Sequence, residues 1–199
     1  MTTSFKRALQ AVAPNDNGVG CGLACGPSGS QVVPVHTYPR STRGTYLRAF
    51  REALGLTMGS AARVIYLSVV EFCALEMGSL AFADEFTWVR LELELAIAAG
   101  PGWCGEEAAT HLRSARSMLR LAESATQEKV GLRAGAMNDV ARAADAQILT
   151  VKRGALYCLA SRIAMALERP EDARYLAGKG FVGDVGPVPD WLAVGLQAV

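Results

Sequence analysis

Cys21, Cys25 and His36 are the first residues whose chemistry invites a function, because two thiolates and an imidazole are the ligand types of a tetrahedral zinc site. Their spacing matches no common structural zinc pattern, and a fourth ligand would have to come from as far along as Cys104 or His111. Gly18, Gly20, Gly22 and Gly26 give the same stretch the freedom of a phosphate-binding loop. No Gly-Lys-Ser/Thr follows them and no strand precedes them, so a phosphate cradle is not expected. Glu92 and Glu94 fall on different sides of a helix and cannot work as a paired acid and base. His111, next to Leu112 on a helix, reads as a surface or interface residue. The chain is therefore read as non-enzymatic, with no cofactor and no metal.

What remains is charge. The formal net charge is only +1, so the composition carries no strong global attraction to nucleic acid. Its distribution is uneven: residues 1–51 hold Lys6, Arg7, Arg40, Arg43, Arg48 and Arg51 against the single acid Asp16, net +5, and the remainder is net −4. If any face meets phosphate, it is this first quarter.

These arginines lead into the most patterned segment, Leu54 to Gly78, LGLTMGSAARVIYLSVVEFCALEMG. Thr57 is placed to cap a short helix with Ala61 and Ala62 facing inward, and Ser68 caps a second helix whose inner face is Phe72 and Leu75. Glu76 and Gly78 close the unit, Gly being the usual residue just past a helix end.

The segment resembles the lambda-repressor and Cro-like (XRE-type) helix-turn-helix family over about residues 44–98. Arg51, Gly55, Leu56, Thr57, Ala62, Ser68, Phe72, Leu75, Glu76 and Gly78 fall in register with that family's signature without a gap. The resemblance implies a salt bridge between Arg51 and Glu76, and a duplex-facing surface made of Thr57, Met58, Ser68, Val69, Val70, Glu71 and Ala74. Arg40, Arg43, Arg48 and Arg63 would then anchor phosphates. Three departures bear on function: Met58 replaces the usual Gln, Tyr66 the usual turn Gly, and the outward positions Val69, Val70, Glu71 and Ala74 carry no side-chain donor. Major-groove readers normally use donors and acceptors there. Valine can touch only a thymine methyl, and Glu71 can accept only from a cytosine amine, while its charge repels phosphate.

The elements around this unit set its frame. The 199 residues, 51% of them hydrophobic with alanine prominent, suit a packed helical protein. Phe5, Leu9 and Val12 at helical spacing predict a short N-terminal helix, followed over residues 14–42 by an irregular Gly/Pro/Ser-rich arm able to add an edge strand. Leu47, Phe50 and Leu54 predict the helix before the motif. Asp84 caps a helix to Ala99, despite the strand-like alternation of Leu91 to Leu95.

Gly100-Pro101-Gly102 is the strongest boundary, dividing the chain into 1–42, 43–100, 101–180 and 181–199. Beyond it, Ala108, Leu112, Ala115, Leu119 and Ala122 form one stripe, and Gly131 and Gly135 form a break. Val140, Ala144, Ile148, Val151, Ala155 and Leu159 form a second long stripe, running to Arg169 and Pro170. The expected architecture is all-α: a compact helix-turn-helix domain, then a long antiparallel helical hairpin with Leu119 and Ile148 in its core, between an irregular N-terminal arm and a C-terminal tail around Trp191. Five cysteines without disulfide-scaffold density point to a reducing, cytoplasmic setting. The most apolar window, Val64 to Ala83, contains Glu71 and Glu76, so no membrane span is expected.

Two functions follow. One is a repressor-like transcriptional regulator that binds duplex DNA as a homodimer through residues 105–178. The other is a degenerate helix-turn-helix that presents Tyr66, Val69 and Val70 to a protein partner, as an adaptor, antiactivator or assembly subunit.

Overall fold

The computed structural model describes residues 9–11, 42–82, 84–125, 128–148 and 150–181. These form an all-α fold of eight helices with one short ribbon, α1 (Thr42–Ala53), α2 (Met58–Val64), α3 (Val69–Met77), α4 (Glu85–Ala98), α5 (Pro101–Ser124), α6 (Lys129–Ala146), α7 (Thr150–Ala166) and α8 (Pro170–Phe181), with strands β1 (Leu9–Ala11) and β2 (Leu80–Phe82). Arg40, the metal-ligand trio Cys21, Cys25 and His36, the glycine cluster, most of the arm and the tail from 182 onward lie outside the described residues.

α1 buries Tyr46, Leu47 and Phe50 and ends at Gly55, whose φ of +71° is open to glycine without strain. Thr57 Oγ1 accepts from the Ser60 amide at 3.1 Å and starts α2, in which Ala61 and Ala62 are buried. The chain bends by 102° between α2 and α3 across residues 65–68, which is the geometry of a helix-turn-helix. Phe72 and Leu75 turn inward, and Gly78 at φ +76° closes α3.

Gly44 lets α1 and α3 cross closely. A Cβ there would stand 2.4 Å from the Glu76 carbonyl oxygen and 2.7 Å from that of Leu75. Both obstacles are backbone and cannot rotate away, so Gly44→Ala is expected to destabilise the protein by about 1–3 kcal/mol. A lowered urea midpoint with an unchanged slope checks this, and an unchanged midpoint would mean that the helices separate at no cost.

Asp84 caps α4 through the Thr87 amide at 2.8 Å. α4 is the central helix, burying Trp88, Val89, Leu91, Leu93, Leu95 and Ala96, and with them Glu92. α5 carries the expected buried stripe from Ala108 to Ala122 and is kinked at Gly105, φ +79°. Buried side chains on both sides of residues 100–102 belong to one core running from Tyr46 to Leu176.

Four expectations are corrected. Leu9 to Ala11 is a strand, not part of a helix, pairing antiparallel with β2 in the register Leu9 to Phe82; the open edge of β2 offers hydrogen bonds that local helical spacing cannot reveal. Gly131 and Gly135 lie inside α6 and do not break it. A Cβ on Gly135 would meet the Met118 sulfur at 2.7 Å, so this glycine serves the packing of α6 on α5. The stripe from Val140 to Leu159 is not one helix, because α6 ends at Ala146. There, buried Gln147 Nε2 donates to the Trp103 carbonyl at 2.8 Å, and Arg153 Nε donates to the Ala144 carbonyl at 2.9 Å. Ile148 consequently projects into solvent at 95% exposure, outside any core of the chain.

No single described helix is long and apolar enough to cross a membrane. Among the described residues, Cys73, Cys104 and Cys158 are free thiols.

Candidate recognition surface

Any helix that presents a surface must first be held in a fixed position. Arg51 supplies it from α1: Nε donates to Glu76 Oε1 at 2.6 Å, Nη2 to Glu76 Oε2 at 3.3 Å and Nη1 to the Leu56 carbonyl at 2.9 Å. Both side chains are buried, so one guanidinium ties together the helix before the motif, the turn after it and the end of α3. The pairing implied by the family signature is present.

The start of α3 is fixed as firmly. Ser68 Oγ accepts from the Glu71 amide at 3.2 Å, while Glu71 Oε2 accepts from the Ser68 amide at 2.7 Å and from its hydroxyl at 2.8 Å. This reciprocal capping box satisfies two helix-end donors. It also commits both polar side chains at the start of α3 to each other. Thr57 is occupied in the same way by Ser60, and Met58 is packed partly against the core.

The arginines read as phosphate anchors separate into two groups. Arg43 pairs with Glu85 at 2.5 Å and Arg48 with Glu52 at 2.9 Å, both as partly exposed pairs that a phosphate could compete for. Arg63, exposed on α2, makes no ion pair among the described residues.

What faces solvent is apolar. Tyr66 is 57% exposed, Val69 51%, Val70 78% and Met77 52%, with Cys73 and Ala74 partly exposed between them. Met77 is the member that outward-facing positions taken only from the first turn of α3 leave out. The seven-residue step from Val70 through Cys73 and Ala74 is the signal that finds it, because i+3, i+4 and i+7 share a helix face.

Tyr66 makes the surface unusual in a second way. It holds φ +58°, the left-handed conformation that favours glycine. A side chain there costs about 1–2 kcal/mol, partly offset by the greater backbone freedom of an unfolded glycine. Tyr66→Gly is therefore expected to stabilise the protein by about 0.5–1 kcal/mol, seen as a raised melting temperature. A drop would show that the ring contributes packing which outweighs its strain.

Fold and surface together define a helix-turn-helix unit with a buried arginine clamp and an apolar outer face. Compared with known proteins, the chain matches no family model, no curated protein and no solved structure.

Proposed function

We propose that residues 43–100 are a repressor-like helix-turn-helix unit whose recognition helix docks onto a protein, making the chain an adaptor, antiactivator or assembly subunit. The observation that carries this reading is the solvent face of α3. Tyr66, Val69, Val70 and Met77 are exposed together, while Ser68 and Glu71, the only polar groups at its start, are bound to each other. Base edges are read by donors and acceptors, and the outward side chains of this helix offer no donor beyond the Ser68 hydroxyl that Glu71 already takes. Aromatic residues and methionine are, by contrast, the groups that interface cores favour. Association with a generic duplex across a salt series tests the reading. Binding too weak to show a counterion slope is the expected result, and a slope equivalent to several phosphate contacts would overturn it.

A second reading, duplex DNA binding by a homodimeric transcriptional regulator, draws on Arg63, which meets no acid among the described residues, and on the 102° bend of the unit. In it, Arg63 with Arg40, Arg43 and Arg48 holds phosphates, the valines touch thymine methyls, and two copies place their α3 helices in successive grooves.

A further inference from the structure

Glu92 is fully buried in the middle of α4, and one of its carboxylate oxygens, Oε2, has no hydrogen-bond partner. Arg162 of α7 reaches its other oxygen and also donates to Glu85 Oε1 at 2.8 Å. Glu85 in turn holds Arg43 of α1, and the Arg162 guanidinium lies over the Tyr46 ring of α1 at 4.7 Å. One buried cation thus touches α1, α4 and α7, and shares two carboxylates. This is the polar link between the C-terminal helices and the helix that carries the recognition unit, since α1 holds α3 through Gly44 and the Arg51 clamp.

From this arrangement we infer that Glu92 and Arg162 form a proton-sensitive latch between α7 and the helix-turn-helix unit, closed while Glu92 keeps its proton and loosened when Glu92 ionises. The groups facing Glu92 are Arg43 and Tyr46 from α1, Glu85 from α4, and Cys158 and Arg162 from α7. α5 also packs on α4, but its Arg116 and Arg120 are spent on Glu94. Burial pushes the Glu92 carboxyl up to about 8, with Arg162 opposing it, Glu85 adding to it and Arg43 opposing it. Burial also pushes the Cys158 thiol up to about 12 and the Tyr46 phenol well above its ordinary value, so both stay neutral across the same range. Arg162 stays cationic: burial works against its charge, and the surrounding acid groups outweigh that, with Glu85 Oε1 accepting its hydrogen bond.

The direction of the pH effect follows. An unfolded glutamate loses its proton near 4.5 and the folded chain keeps it to about 8, so the folded state carries one extra proton between those values. Stability from this group is complete at the acid end, falls as pH rises by up to about 10-fold in the folding constant per pH unit, and levels off above about pH 8. Loss of Glu92's proton places one charge, shared over both carboxylate oxygens, in a dry site where Oε2 has no donor, and the contact of α7 with α1 and α4 gives way.

The test compares urea midpoints of wild type and Glu92→Gln over the range from about pH 5 to 9, with amide hydrogen exchange at the upper end. The wild-type midpoint is expected to fall relative to the variant up to about pH 8 and then run parallel, with amides of α1 and α7 several-fold less protected than in Glu92→Gln and those of α5 unchanged. Parallel profiles throughout, or equal protection, overturn the latch. If Glu92→Gln does not fold, carboxyl ¹³C titration of wild-type protein decides: a midpoint for Glu92 near 8 supports the latch, and a carboxylate already ionised at about pH 5 overturns it. None of these outcomes depends on what α3 binds.

Discussion

Replacing Arg51 with methionine is expected to remove about 3–5 kcal/mol of stability, the cost of leaving a buried carboxylate without its cation. The side chains of Arg51 and Glu76 are only 10% and 4% exposed, so water cannot substitute for the lost partner. The Leu56 carbonyl loses its donor in the same step. Against the 5–15 kcal/mol that holds an ordinary domain together, this change brings the chain close to unfolding at physiological temperature. The double change Arg51→Met with Glu76→Leu is expected to recover most of the loss, because the desolvated charges go together. Urea denaturation of the two variants and wild type decides the matter. A cost below about 1 kcal/mol for Arg51→Met would mean that the clamp does not hold α1 to α3 and that apolar packing around Phe50 and Phe72 is sufficient alone.

The helix-turn-helix unit was legible because its signals are local. Thr57, Ser68 and Asp84 announce three helix starts by side-chain chemistry that acts within three residues, and Gly55 and Gly78 announce ends by a backbone angle. The arginine clamp joins residues 25 apart, and only the family signature reveals it in advance. Where the partner is distant and no signature exists, local reading fails. Gly131 and Gly135 look like helix breakers because the sequence does not show Met118 packed over one of them. Ile148 fits a helical stripe perfectly, yet the Gln147 amide bound to a carbonyl on α5 and Arg153 reaching back to α6 end the helix just before it. β1 is set by the edge of β2, about 70 residues away along the chain.

The candidate site was legible to the same degree. Val69 and Val70 stand in solvent, as helical spacing places them. A helical wheel offers Glu71 as an acceptor for a base, while Ser68-x-x-Glu71 also spells a capping box, and the structure shows that carboxylate engaged by Ser68. Glu92, which does not pair with Glu94, has its partner Arg162 on α7 instead, 70 residues along the chain, a separation no helical wheel contains.

Val70→Lys separates the two functional readings, since they give it opposite signs. Val70 is 78% exposed, so the substitution is expected to change stability by no more than about 0.5 kcal/mol, and its effects report on binding. If α3 docks on a protein, a cation driven into the centre of an apolar contact must be desolvated without a partner, costing at least about 2 kcal/mol, or roughly 30-fold in affinity. If α3 enters a groove, the same cation gains a phosphate. Nonspecific duplex binding then strengthens, and the slope of log affinity against log salt steepens by about 0.9. Val130→Lys is the control, because Val130 is also an exposed valine, at 65%, but stands on α6 and not on α3. Duplex anisotropy titrations over a salt series, run beside recovery of the native complex for wild type and both variants, read the two effects together. The docking reading expects the complex to be lost with Val70→Lys alone and duplex binding to remain negligible. An intact complex accompanied by tighter duplex binding would refute it, because an apolar interface centred on Val70 cannot absorb a lysine without loss.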